Sequence, residues 1–240
     1  MTDERLQQLF PAIELGLGDH DTPAHGMCIM ELITWLSGEP HSDHPLSVCP
    51  VLRGFAMALN DGISSSKLRS DLLLPLLPLL IGSRDERLMK PRADLLSVSA
   101  VREAVSLLAD AMGQYAVADA CRSARDRPAA LSAALLGRND SIYSEAVAAA
   151  SWPEDPEVSA LWPNAVEKRG GYAGTVFART LHQLKYDHRS QLDETNYWAT
   201  AADCLRQAAS IKLNQGCLEA GRDGDMHIPG VLSEGLGVPC

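Results

Sequence analysis

The chain is expected to be all-α, an irregular bundle of about eight to ten helices followed by a glycine- and proline-rich tail. Three observations lead there. Apolar residues recur at three- and four-residue spacing along most of the sequence. Runs of alternating β-branched residues flanked by hairpin turns are missing. No fixed-period self-similarity marks a helical repeat array, which favours a bundle over a solenoid.

The elements follow in order. Glu4 to Leu15 reads as a short helix stopped by Gly16 and Gly18, and a polar turn, Asp19 to Pro23, leads into the next. That second helix, about Ala24 to Ser37, carries Met27, Ile29, Met30, Leu32, Ile33, Trp35 and Leu36 around most of its circumference, so it should be central and buried on several sides. Gly38 ends it, and a loop from Glu39 to Pro45 joins it to a third helix over Ser47 to Asn60. Ser64, Ser65 and Ser66 offer an N-cap for Leu68 to Ile81, which Pro75 and Pro78 must bend or split because each removes a donor. A long alanine-rich helix is expected over Ser97 to Arg125, and shorter ones near Ala129 to Leu136 and Ile142 to Ala150. Two more, Gly171 to Tyr186 and Asp193 to Leu213, complete the bundle. We read residues 1–215 as one helical domain. The Trp-Pro and Asp-Pro steps of 151–163 form a candidate subdomain hinge, and 216–240 a flexible or surface-docked tail.

Composition narrows the function. The 46% hydrophobic content suits a folded core, and 31 acidic against 21 basic residues leave a net charge of −10. That balance speaks against direct nucleic-acid binding, which relies on clustered Lys and Arg; it is read first as solubility and, alternatively, as complementarity to a basic partner surface. The charged start lacks a signal peptide's pattern, and the apolar stretch Leu72 to Ile81 is too short to span a bilayer, so a cytoplasmic location is expected. The six cysteines are dispersed, with no CxxC pair, and read as reduced thiols. The alanine-rich helix offers a surface for a homodimer.

One polar constellation stands out. His20, His25, Cys28, Glu31, Glu39, His41, Asp43, His44 and Cys49 fall within thirty residues, and four of the seven histidines are among them. Cys28 and Glu31 share one side of an apolar helix, so Glu31 is expected to be buried, where a carboxylate must be protonated, paired or ligated. Three readings follow. Cys28, Glu31, His41, His44 and Cys49, with Asp43 as a further donor, could bind a transition metal such as zinc. Glu31, His41, Asp43 and His44 could form the acid–base machinery of a hydrolase. The third reading is structural: Ser42 to Pro45 cap the third helix, with Glu31 anchoring the loop. None has a diagnostic spacing such as HExxH. Gly170, Gly171 and Gly174 lack the strand and GK[ST] sequence of a phosphate loop, which leaves no nucleotide or other cofactor-binding motif. Asn60-Asp61-Gly62 reads as a turn, and Tyr197, Trp198 and Cys204 as packing.

The segments His25-Gly-Met-Cys-Ile-Met-Glu31, Gly38-Glu-Pro-His-Ser-Asp-His-Pro45, Cys49-Pro-Val, Leu59-Asn-Asp61 and Leu74-Pro-Leu-Leu-Pro-Leu-Leu-Ile-Gly82 resemble a family of uncharacterised bacterial and bacteriophage proteins. The resemblance covers about residues 25 to 82. It implies no activity, cofactor or catalytic residue. Its phage context implies a non-enzymatic accessory factor that binds a host protein complex.

Overall fold

A computed structural model of the chain describes residues 13–137, 141–151, 165–186 and 192–212. The fold is all-α, with no strand among these residues. The helices are α1 (Ile29–Ser37), α2 (Pro50–Gly62), α3 (Ser66–Leu73), α4 (Leu77–Leu80), α5 (Glu86–Ser99), α6 (Ser106–Ala111), α7 (Tyr115–Ser123), α8 (Arg127–Leu136), α9 (Ser141–Ala150), α10 (Ala165–Tyr186) and α11 (Glu194–Ala209). A single apolar core runs through them from Leu15 to Ala209.

The centre of the bundle is the crossing of α2 and α10, and glycine makes it possible. A Cβ at Gly170 would lie 1.8 Å from the Val51 carbonyl oxygen, and one at Gly174 would lie 2.6 Å from the Ala58 Cβ. On the opposing helix, a Cβ at Gly54 would lie 2.9 Å from the Gly171 nitrogen. The backbones therefore meet with no side chain between them. Around this contact α10 buries Ala173, Val176, Phe177, Thr180, Leu181 and Leu184, the three- and four-residue recurrence of a core-facing stripe. Phe55, Phe177, Tyr197 and Trp198 form an edge-to-face ladder that joins α2, α10 and α11, with centroids 5.9, 5.8 and 5.5 Å apart. Each such pair contributes about 1 kcal/mol beyond its burial. Tyr197 and Trp198 are thus core residues, as their sequence context suggests.

Several boundaries differ from those expected. Residues 13–15, the described end of the anticipated first helix, carry no helix and begin a strap that runs on to His20. The second helix starts at Ile29, because Gly26 takes φ +122° and separates it from a 3-10 turn at Pro23–His25. The third begins at Pro50, with proline in its first turn. Ser65 caps α3 through the Leu68 N–H, and Pro75 and Pro78 break the leucine-rich stretch into α3, a 3-10 turn at Leu74–Leu76 and α4, as expected. The long alanine-rich helix differs from expectation in three ways. Helix α5 starts early, at Glu86, with Pro91 in its second turn. A π turn occupies Ala100–Val105, and Gly113 at φ +71° ends α6. Helix α10 starts before Gly171, since the α2 contact outweighs the weak helix propensity of Gly170 and Gly171. The candidate hinge, except Ser151, and the glycine-rich tail lie outside the described residues. No helix among the described residues is long and apolar enough to cross a membrane.

Candidate functional site

Glu31 sits at the third position of α1 with its side chain 2% exposed, as expected for a carboxylate on an apolar helix. Helix α1 is not the central helix anticipated: the bundle centre is the α2–α10 crossing, and Trp35 of α1 is 56% exposed. Cys28 is the N-cap. Its thiol accepts the Glu31 N–H at 3.5 Å, and Glu31 Oε2 accepts the Cys28 N–H at 2.7 Å. This is a reciprocal capping box with sulfur in the place usually held by a Ser or Thr hydroxyl. The carboxylate also lies in the first turn, where the helix dipole favours negative charge.

Its remaining partner comes from the strap. His20 donates its backbone N–H to Oε1 at 2.6 Å, and its Nδ1 lies 2.9 Å from Oε2. Burial pushes the Glu31 carboxyl up, but the N–H groups of Cys28 and His20 and the His20 ring outweigh it, and the net effect holds Glu31 below the ordinary carboxylate range. An ionised carboxylate only accepts, so His20 Nδ1 carries the proton. The ring fits between Gly16 and Gly26. A Cβ at Gly16 would come within 2.4 Å of Cε1 and Nε2, and one at Gly26 within 2.8 Å of Nε2.

The strap is itself tied down. Arg69, 2% exposed, donates to the carbonyls of Leu15 (2.8 Å), Asn60 (2.7 Å) and Ile63 (2.6 Å), joining the strap to the open end of α2. The Leu15 N–H bonds Ser70 Oγ, Asn60 Nδ2 donates to Gly16 O, and the Gly18 N–H reaches Asp61 Oδ1. Asn60 Oδ1 also accepts the Ile29 N–H at 3.3 Å. Asn60 and Asp61, read from sequence as a turn, thus hold the same network as Glu31.

Of the loop residues singled out from sequence, His41 alone joins Glu31. Its Nε2 donates to the His20 carbonyl at 2.6 Å and stands 4.0 Å from Glu31 Oε1. Asp43 and His44 pair with each other, their side chains 28% and 60% exposed. Cys49 is buried at the N-cap of α2 and makes no side-chain cap bond, while its N–H bonds Ser83 Oγ at 3.0 Å. The structure therefore does not assemble Cys28, Glu31, His41, His44 and Cys49 around one point. The Glu31 oxygens face N–H groups, His44 faces Asp43, and Cys49 belongs to another helix start. No group of three or more His, Cys, Asp or Glu among the described residues could hold a metal ion. The expected cap by Ser42 to Pro45 is also corrected: Ser42 Oγ accepts the His44 N–H inside the loop, and α2 begins five residues after Pro45. Glu39 does the loop's work instead, accepting the N–H groups of Leu46 (2.6 Å) and Ser47 (3.3 Å).

His20 lies in the polar constellation, but nothing in its sequence context assigns it as the partner of Glu31. The available signal was the Cys28-x-x-Glu31 spacing, which is that of a capping box. Chemically, the arrangement favours holding over reacting. The Cys28 thiol is pushed up to about 12, chiefly by burial, so it is no thiolate near neutrality. A cavity beside it, lined by Gly18, Asp19, Cys28, Asp43, Asn60 and Asp61 among others, measures about 120 Å³. Small-molecule sites run to roughly 300–1,000 Å³. Compared with known protein families, curated proteins and solved structures, the chain matches none of them.

Proposed function

We propose that the protein is a non-enzymatic accessory factor that binds another protein through exposed Trp35 of α1, with Leu46 of the following loop as a second apolar contact. The observation that carries this reading is the exposure of Trp35 and Leu46, 56% and 70%, on backbone held locally, that of Trp35 by the capped helix α1 and that of Leu46 by Glu39. Trp35 lies one turn beyond Glu31 on α1. The Thr34 hydroxyl between them bridges the carbonyls of Glu31 (2.8 Å) and Ser42 (3.1 Å), tying the helix to the loop. Leu46 is fixed through its N–H on Glu39. A half-exposed indole leaves about 2 kcal/mol of burial unrealised in the free protein, and aromatic anchors on rigid backbone are what partner surfaces use. The net charge of −10 favours a partner with a basic rim. With the phage-like resemblance of residues 25 to 82, this supports an accessory factor, derived from a phage or mobile element, that acts on a host complex.

The test is site-specific photocrosslinking from position 35 in a bacterial host, with adducts identified by mass spectrometry. One defined adduct that disappears in a Leu46→Glu background is the expected result. Substrate turnover by the purified protein that is lost on Glu31→Gln would overturn the reading.

A second reading, acid–base hydrolysis at Glu31, has one observation behind it. An imidazole oriented by a carboxylate, as His20 is by Glu31, is the arrangement of a general base. Against it, Gly16 and Gly26 pack over the Nε2 edge that would have to meet substrate, and Asp43 and His44 point to each other.

A further inference from the structure

Away from the strap, a cavity of about 760 Å³ opens between α5, the π turn, the start of α8 and α11. Its volume is within the range of small-molecule sites. A second cavity of about 450 Å³ adjoins it, and Arg102, Glu103 and Thr200 line both.

The charges around the larger cavity divide into two groups. Most are already engaged. Asp94 pairs with Lys90 at 2.7 Å and with Arg127 at 3.3 Å, Asp203 with Arg206 and Gln207, and Asp126 caps α8 through the Ala129 N–H. Arg102, Arg125 and Glu103 make no ion pair or side-chain hydrogen bond with the described residues. Arg102 is the most telling, because its Nε is buried and meets no acceptor. A desolvated guanidinium N–H without a partner is unfavourable, and the two terminal nitrogens of the same guanidinium, which have no acceptor among the described residues either, are left to a carboxylate bound in the cavity.

The backbone explains why Arg102 stands there. In the π turn the Ser106 N–H reaches back five residues to Val101 O, and the Ser106 hydroxyl satisfies the Arg102 carbonyl. The local ladder is complete, and the side chains of Arg102 and Glu103 both line the cavity. Turns of this kind are frequent at functional sites, because they re-aim side chains at the expense of helix regularity.

We propose that this cavity binds a small zwitterion of the amino-acid class, with its carboxylate on Arg102, Arg125 as the second cation, and its ammonium on Glu103. Leu95 and Val98 supply apolar lining for the ligand's carbon chain. Glu103 and Asp203 disfavour a phosphate-rich ligand by like-charge repulsion. The site is independent of the Trp35 face, so either can fail alone.

Isothermal titration calorimetry of the full chain tests it, using the standard amino acids, succinate and inorganic phosphate as separate titrants. The expected result is binding of one or a few amino acids, with succinate and phosphate weaker by about tenfold or more. Arg102→Met should weaken that binding by about tenfold or more. Glu103→Gln should erase the preference over succinate. Should Arg102→Met unfold, as its circular dichroism melt would reveal, Arg125→Gln at an exposed position replaces it with the same expectation in smaller measure. Absence of amino-acid binding at millimolar concentration overturns the proposal. So do phosphate or succinate binding as tightly as any amino acid, and unchanged binding in folded variants.

Discussion

Both carboxylate oxygens of Glu31 are engaged by His20, Oε1 by its backbone N–H at 2.6 Å and Oε2 by its ring Nδ1 at 2.9 Å. One residue of the strap thus saturates most of a buried charge on α1. The strap cannot lift without exposing that charge, and the charge cannot be removed without leaving buried N–H groups unpaired.

Glu31→Gln should therefore destabilise the fold by about 3 kcal/mol, because an amide sets N–H against N–H where the carboxylate accepted three donors. Urea denaturation followed by circular dichroism measures this. The pH dependence has a definite sign. Glu31 titrates lower in the folded state than its ordinary 4.5, so its stabilisation is fully present above about pH 4.5 and is lost as pH falls through the folded-state value. Wild type and Glu31→Gln should differ most near neutrality and converge in acid. Parallel curves down to low pH would show that Glu31 is not the ionised centre of the network.

How far this network can be read from sequence depends on the range of each interaction. The capping box is local, and Cys28-x-x-Glu31 can be found by spacing once a thiol is allowed in place of a hydroxyl. The burial of Glu31 follows from the apolar residues that flank it on α1. His20 is different. Its approach depends on a strap held by Arg69 and Ser70, more than fifty residues away from Leu15. The helices themselves follow the apolar recurrence, and the errors lie where tertiary contact overrides local preference. The π turn is one such place, and the glycines of α10 are another.

Cys28 reports on chemistry in the same region. With the thiol buried at 4% exposure and pushed up to about 12, iodoacetamide at pH 8 should leave it unmodified in the native protein and alkylate it fully after denaturation. Cys49, Cys121 and Cys204, all buried and free, should behave alike. Peptide mass spectrometry of the two samples decides the matter. Rapid native labelling of Cys28 alone would mark it as an accessible nucleophile and revive the catalytic reading.

Arg69 anchors the strap from the other side. Three carbonyls converge on one guanidinium at 2.6 to 2.8 Å, and two of them, of Asn60 in the last turn of α2 and of its C-cap Ile63, lie at the helix end, where C=O groups lack helical partners. Arg69→Met should cost about 3 kcal/mol or more, since it leaves all three buried acceptors without a charged donor. Arg69→Lys should recover only part of this, because an ammonium cannot reproduce the planar fork. Amide hydrogen exchange adds a positional test: in Arg69→Lys, protection should fall first at Leu15 and Gly16 and remain in α10.

Neighbouring glycines of α10 give a prediction with opposite signs. At Gly170 an added Cβ would lie 1.8 Å from Val51 O, a backbone atom that cannot rotate away, so α2 and α10 would have to separate. Gly170→Ala should therefore destabilise by about 3 kcal/mol or more, the scale of a core that is overpacked. At Gly171 an added Cβ meets nothing within 4 Å. There alanine has only its conformational advantage, so Gly171→Ala should stabilise by about 0.5–1 kcal/mol through the higher helix propensity of alanine. Thermal denaturation of the two variants separates packing from propensity, because the substitution is identical and the positions are adjacent. Two shifts of the same sign would mean that α10 does not cross α2 at Gly170.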